Sequence, residues 1–109
     1  MADTIFGKIL SGEISIEFVY EDAVCVAFND VAPQAPTHIL VIPREPLEDA
    51  TTADQSTLGH IVAVAAKLGQ ERCPNGFRLV TNIGEDGGQS VLHLHVHVLG
   101  GRKLSWPPG

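Results

Sequence analysis

From residue 90 to residue 99 apolar and polar positions alternate: His93, His95 and His97 are separated by Leu94 and Val96, and Val98 and Leu99 follow. A period of two with β-branched residues predicts a strand. Its three histidines share one face, about 6.6 Å apart from Cα to Cα, and Leu94, Val96 and Val98 face a core on the other. Residues 37–42 are apolar almost without interruption, the pattern of a central strand covered on both faces and ended by Pro43. Residues 14–20 and 24–28 predict a hairpin turning at Glu21-Asp22, and residues 77–81 a strand antiparallel to the histidine strand across the 84–88 loop. After Asp54 the period lengthens. Leu58, Ile61, Val62, Ala65 and Leu68 fall at helical spacing, which predicts a helix from an Asp54 or threonine cap to about Arg72, stopped by Cys73-Pro74-Asn75-Gly76. Ala63, Ala65 and Ala66 let this helix approach the sheet, or a second copy of itself, closely. His60 lies off its apolar stripe and is predicted at the surface. A shorter helix is predicted from an Asp3 or Thr4 cap to about Leu10, with Ile5, Phe6 and Ile9 on its apolar side and Gly12 at its exit. These elements define an α+β class: an antiparallel sheet of about five strands, one short N-terminal helix and one long central helix. The tail of residues 104–109 cannot be a regular element, and Trp106 within it should dock somewhere.

Three histidines in alternate register are poor core fillers, since each imidazole brings two nitrogens that need partners. Two chemical readings compete with a structural one. Histidines at i and i+2 on a strand can bind a transition metal, or one histidine is a nucleophile that the others orient. The flanks favour the second. Upstream, Asn82-Ile83-Gly84-Glu85-Asp86-Gly87-Gly88-Gln89-Ser90 is a glycine-rich loop whose N–H groups and serine hydroxyl suit a phosphate. Downstream, Gly100-Gly101-Arg102 ends the strand in a sharp turn. Taken alone, Asp30 reads as a turn residue after Asn29 and His38 as a core histidine.

Length and charge narrow the classes further. A chain of 109 residues is predicted to form one compact domain, residues 1–109, with 102–109 as its tail. Seven Lys+Arg against thirteen Asp+Glu give a net charge of −6, which argues against a nucleic-acid polymer or an anionic membrane as partner. With no signal segment or spanning apolar run, the expected location is cytoplasmic. Cys25 and Cys73 form no CxxC and are expected to be buried thiols.

His93-Leu94-His95-Val96-His97-Val98-Leu99 resembles the histidine triad pattern, His-x-His-x-His with apolar residues between and after. The likeness extends to Asp3-Thr4-Ile5-Phe6-Gly7-Lys8-Ile9, Ala32-Pro33-Gln34-Ala35-Pro36-Thr37-His38, Gly87-Gly88-Gln89-Ser90 and Trp106-Pro107-Pro108-Gly109. It covers nearly the whole chain and is strongest to the histidine triad nucleotide-binding (Hint) branch. That resemblance implies a hydrolase that cleaves purine nucleoside 5′-phosphoramidates or aminoacyl-adenylates, with His95 as nucleophile and a nucleotidyl-histidine intermediate. A backbone carbonyl is expected to hold the other ring nitrogen of His95, because no acid lies in the motif. His97 is expected to contact the phosphate and protonate the leaving group, Ser90 and the N–H groups at Gly88 to Ser90 to bind phosphate oxygens, and His93 and His38 to orient. The base pocket is implied to include Ile5, Phe6, Ile9, Phe28, Val31 and Leu40. Asp30 is implied to hold the ribose, Asn29 stands where relatives often carry histidine, and Asn82 and Gln89 should reach the nucleotide. No metal or other cofactor is implied. A homodimer is, with a sheet continuous across two subunits and the Trp106 tail reaching the partner's site. The alternatives are a dinucleoside polyphosphate hydrolase or nucleotidyl transferase of the wider family, and a nucleotide- or metal-binding regulatory or scaffolding module. All three triad histidines are present, which disfavours the transferase branch that carries glutamine at the last.

Overall fold

The computed structural model describes residues 4–109. Thr4 caps the first helix, α1 (Ile5–Ser11): its hydroxyl accepts the Gly7 N–H at 3.1 Å, and Gly12 closes the other end in the left-handed conformation at φ 85°. The alternative cap, Asp3, lies outside the described residues. The strands are β1 (Tyr20–Glu21), β2 (Cys25–Asn29), β3 (Thr37–Pro43), β4 (Phe77–Val80) and β5 (Val96–Gly100), and the long helix is α2 (Gln55–Arg72). They form one five-stranded antiparallel sheet in the order β1-β2-β3-β5-β4. A 3-10 turn at Ala50–Thr52, capped by Asp49, was not anticipated from the pattern. No helix among the described residues is long and apolar enough to cross a membrane.

The sheet's two faces explain the unbroken apolar run of β3. Ile39, Val41, Ala27, Val96 and Val98 point to one side and pack with Ile61, Ala65 and Leu68 of α2. Leu40, Ile42, Val26 and Phe28 point to the other and pack with Phe6 and Ile9 of α1. Asp54 caps α2 by accepting the Thr57 N–H at 2.8 Å. Cys25 and Cys73 are free and buried. Burial, followed by the neighbouring charge of Asp22, pushes the Cys25 thiol up to about 12, so it stays protonated near neutral pH.

Three expectations need correction. The first strand is short: only Tyr20 and Glu21 pair, opposite Ala27 and Val26. Continuing that register would place residue 16 opposite residue 31, beyond the end of β2 at Asn29, so residues 14–17 have no strand to pair with. The histidine strand is also shorter than the alternation. β5 starts at Val96: the register that pairs Val96 with Val41 would set Leu94 opposite Pro43, which has no N–H to offer, and β4 ends at Val80. Residues 93–95 lie outside the ladder, held by Leu94 N–H to the Leu47 carbonyl at 2.7 Å and by the Thr81 hydroxyl to the His95 carbonyl at 2.8 Å. The alternation of faces survives nonetheless, with Leu94 packed beside Val96 and Val98, and His93 and His95 turned toward Phe6.

The third correction concerns the hairpin and His60. The turn spans residues 22–24, and Asp22 builds it: Oδ1 accepts the Val24 and Cys25 N–H groups, each at 2.8 Å. Oδ2 accepts the Tyr20 hydroxyl and the His60 Nε2–H, each at 2.7 Å. His60 is therefore a tie between α2 and the hairpin rather than a free surface residue. Burial alone would raise the Asp22 carboxyl, but the hydrogen bonds from Tyr20, His60 and the two backbone N–H groups outweigh it and hold it far below the usual carboxylate range. A depressed folded-state pKa stabilises the fold above the unfolded value near 4, and that contribution is lost as pH falls below it. Asp22→Ala should cost about 2 kcal/mol at pH 7, read as a shift of the urea midpoint. That cost should shrink when both proteins are measured at pH 3.

Candidate active site

On the α1 side of the sheet lies a cavity of about 280 Å³ lined by Ile5, Phe6, Ile9, Ile14, Ile16, Phe28, Asp30, Val31, Leu40, Ser90, Val91, His95 and His97. Its walls are mostly apolar, and Asp30, Ser90, His95 and His97 are its polar lining residues. α1 supplies one wall because Ile5, Phe6 and Ile9 recur on one helical face. β2 and β3 supply the floor through Phe28 and Leu40, paired across the strands. Residues 14 and 16, having left the sheet, close the rim.

Ten of the residues expected from sequence line this cavity: Ile5, Phe6, Ile9, Phe28, Asp30, Val31, Leu40, Ser90, His95 and His97. Ile14, Ile16 and Val91 line it too and were missed. Ile14 and Ile16 read as part of a regular strand, and nothing local signals that the strand stops. Asn29, exposed at the end of β2, does not line the cavity, and neither do Asn82, Gly88, Gln89 or Trp106.

The glycine-rich loop is braced from within. Asn82 Nδ2–H donates to the Gly87 carbonyl at 2.7 Å. Gln89 Nε2–H donates to the Glu48 and Val91 carbonyls at 2.7 and 3.0 Å, while its Oε1 accepts the Gly84 N–H at 3.0 Å. The N–H groups of Gly88 and Gln89 go to the Glu85 and Gly84 carbonyls, each at 3.0 Å. Of the expected phosphate donors at residues 88–90, two are thus spent in the loop itself. Ser90 keeps its N–H and hydroxyl at the cavity edge. The amides of Asn82 and Gln89 brace the loop. In the tail, Arg78 donates to the Ser105 carbonyl at 2.7 Å, and Trp106 stands 81 % exposed.

Four histidines assemble here, and their hydrogen bonds dictate their tautomers. His93 is almost wholly buried and donates from Nε2 to the Pro43 carbonyl at 2.9 Å. His95 donates from Nδ1 to the His93 carbonyl at 2.7 Å, which leaves its Nε2 bare. A backbone carbonyl, not an acid, holds that ring. His38 Nδ1 accepts the Gln34 backbone N–H at 3.0 Å, so the proton of a neutral His38 sits on Nε2. That Nε2 lies 2.9 Å from His97 Nδ1 and 3.4 Å from Asp30 Oδ2. Donation to His97 Nδ1 puts the proton of His97 on its own Nε2.

Electrostatics favour the neutral forms of His38, His93 and His97. Burial pushes His97 down to about 4, helped by His95 and His38 and opposed by Asp30. Burial also lowers His38, against the Asp30 carboxylate, and lowers His93, against the Pro43 carbonyl. Among the described residues, two groups of side chains bring three metal-capable atoms within 4.8 Å of one another: Asp30 with His38 and His97, and Asp22 with Cys25 and His60. Both already contain internal hydrogen bonds.

Residues 11–104 match the HIT domain. An uncharacterized HIT-like protein of Synechococcus elongatus is 56% identical, over 98% of this chain and 97% of its own. The solved structure of a HIT family hydrolase from Legionella pneumophila superposes with a TM-score of 0.91 at 42% identity, covering 98% of this chain and 100% of that one. A hypothetical histidine triad nucleotide-binding protein of Sulfolobus tokodaii gives a TM-score of 0.79 at 36% identity, with 92% and 70% of the two chains covered.

Histidines whose folded pKa is depressed destabilise the fold in acid. The unfolded chain takes up protons near pH 6.5 that the folded one refuses, so stability is lost as pH falls from about 6.5 toward 4. Urea unfolding at pH 7 and pH 5 should show this loss. His97→Gln should reduce it by on the order of 1 kcal/mol.

Proposed function

The chain belongs to the HIT domain family, and on that premise we propose that it is a hydrolase of the Hint branch that cleaves purine nucleoside 5′-phosphoramidates or aminoacyl-adenylates to the nucleoside monophosphate. One observation carries this reading: His95 gives its Nδ1–H to the His93 carbonyl, and its bare Nε2 belongs to a ring that lines the cavity beside His97. A neutral imidazole held in one tautomer, with its lone pair at a polar corner of an apolar pocket, is a nucleophile prepared for phosphorus. The names of the neighbours, a hydrolase and a nucleotide-binding protein, support the class.

In this reading the base lies among Phe6, Ile9, Phe28 and Leu40, with Ile14 and Ile16 at the rim. Asp30 accepts from the ribose hydroxyls and Ser90 donates to a phosphate oxygen. With a phosphoramidate, His95 Nε2 attacks phosphorus, and the bond from phosphorus to the leaving nitrogen breaks. An anionic phosphate in the cavity favours a second proton on the His97 ring, against the burial that keeps it neutral in the empty site; Nδ1 then carries a proton too, and the His38 Nε2–H turns to Asp30 Oδ2, 3.4 Å away. That proton goes to the departing nitrogen, which leaves as the free amine. Water then attacks the phosphorus of the nucleotidyl-histidine and gives a proton to His97. The bond from His95 to phosphorus breaks, and the monophosphate leaves with both rings restored. His93 and His38 orient the two rings that react.

The same reading includes a homodimer. β4 is an edge strand with one side of its ladder unpaired, α2 exposes Val62, and Trp106 has no seat in its own cavity. A sheet continued across β4 and a tail lent to the partner's site would cover all three. Light scattering that returns the mass of a single chain would remove this part.

Hydrolysis of an adenosine 5′-phosphoramidate carrying a fluorescent amine, in excess chelator, tests the reaction. The wild type should turn over, and His95→Ala should lose about a thousandfold or more in kcat while still binding AMP. Rapid quenching should trap wild-type protein heavier by one nucleotidyl group. Wild-type rates in the variant would sink the assignment. Turnover that appears only with added zinc would instead favour a metal reading built on Asp30, His38 and His97.

A further inference from the structure

Gly100-Gly101-Arg102, downstream of the histidines, has no part in the chemistry above, yet it touches the loop that leads into His38. Arg102 Nη2 donates to the Gln34 carbonyl at 3.1 Å. Gly101 turns at φ 89°, and a Cβ there would stand 2.8 Å from Pro36 Cβ, so the turn lies directly against that proline. Gln34 is held at two further points: its side chain donates to the Ala32 carbonyl at 3.0 Å, and its backbone N–H donates to His38 Nδ1 at 3.0 Å. His38 Nε2 then meets His97 Nδ1 at 2.9 Å.

We propose that Arg102 is a positioning residue for His97: by clamping residue 34 it holds the Gln34 N–H on His38 Nδ1, and this fixes the proton of His97 on the nitrogen that faces the substrate. The reasoning is one of obligatory directions. With the Gln34 N–H in place, neutral His38 can carry its proton only on Nε2, and that proton has two acceptors, His97 Nδ1 and, farther off, Asp30 Oδ2. If the 33–36 loop drifts, Nδ1 of His38 is free to take the proton itself. Nε2 then becomes an acceptor, and the direction of every hydrogen bond up to His97 can reverse. His97 would then place its own proton on Nδ1, toward His38, with none on Nε2. Asp30, His38 and His95 are the titratable groups that face His97, and of these His38 meets residue 34, through the bond that the clamp maintains. The clamp comes from the far end of β5, the strand that carries His97 itself. The part of this inference that concerns turnover rests on the reaction proposed above; the part that concerns tautomers does not.

The test is a pair of readings on the full-length protein, wild type, Arg102→Met and Arg102→Lys, with Arg78→Met as a control on the neighbouring tail contact. Long-range proton–nitrogen NMR of the imidazoles at pH 7.5 reads the tautomers without substrate. The wild type should show His38 and His97 each protonated at Nε2 alone. Arg102→Met should show a mixture, and Arg102→Lys and Arg78→Met should keep the wild-type pattern. On the phosphoramidate, Arg102→Met should lower kcat by about tenfold with KM little changed, the scale at which supporting contacts act. A wild-type tautomer pattern in Arg102→Met overturns the inference, whatever happens to its rate. Mixed tautomers together with a wild-type protein that does not turn over would uphold the clamp and overturn the reaction.

Discussion

A neutral imidazole out of water has one N–H to give and one lone pair to fill, and His38, His93 and His95, each no more than 5 % exposed, meet that condition beside His97. Each bond made settles the next. The Pro43 carbonyl takes the His93 proton, the His93 carbonyl takes the His95 proton, and the Gln34 N–H decides which way His38 and His97 are joined. Two of these partners are backbone groups at strand ends, Pro43 closing β3 and residue 93 preceding β5. The site's proton arrangement is therefore a consequence of where the strands stop.

The stops have a common cause. Pro43 has no N–H to extend the β3–β5 ladder, and the chain beyond Val80 turns into the glycine-rich loop, so residues 93–95 run free of the sheet while keeping their alternation. Freed from the ladder, this stretch spends its backbone groups elsewhere, Leu94 on Leu47 and the His95 carbonyl on Thr81. The cavity arises in a similar way. Residues 14 and 16 find no strand opposite them and close over the α1 face, where Phe6 and Ile9 already form a wall. Under the proposed reaction, an acidic chain of net charge −6 would receive an anion through local groups, the histidine N–H groups and the Ser90 hydroxyl. The glycine-rich loop is stiffened from within by Gln89 and Asn82.

Periodicity determined a good deal unaided. It set the class of every strand and of both helices, the two faces of β3, and the side on which each triad histidine stands, while residue type narrowed the caps to Asp3 or Thr4 and to Asp54 or a threonine before it. These follow from the geometry of one chain segment, in which side chains repeat every two or 3.6 residues whatever surrounds them. The histidine triad, with its flanking glycines and serine, also pointed to the family, because so much specific chemistry sits within about a dozen adjacent residues. What lay beyond that reach needed the tertiary structure. His38 and His97 are joined across 59 positions, Arg102 and Gln34 across 68, and His60 and Asp22 across 38. No local period encodes such pairs, since strand register and loop packing create them. For the same reason the bracing bonds of Gln89 and Asn82 were not legible, because only the folded loop sets the Glu48 and Gly87 carbonyls beside their amides.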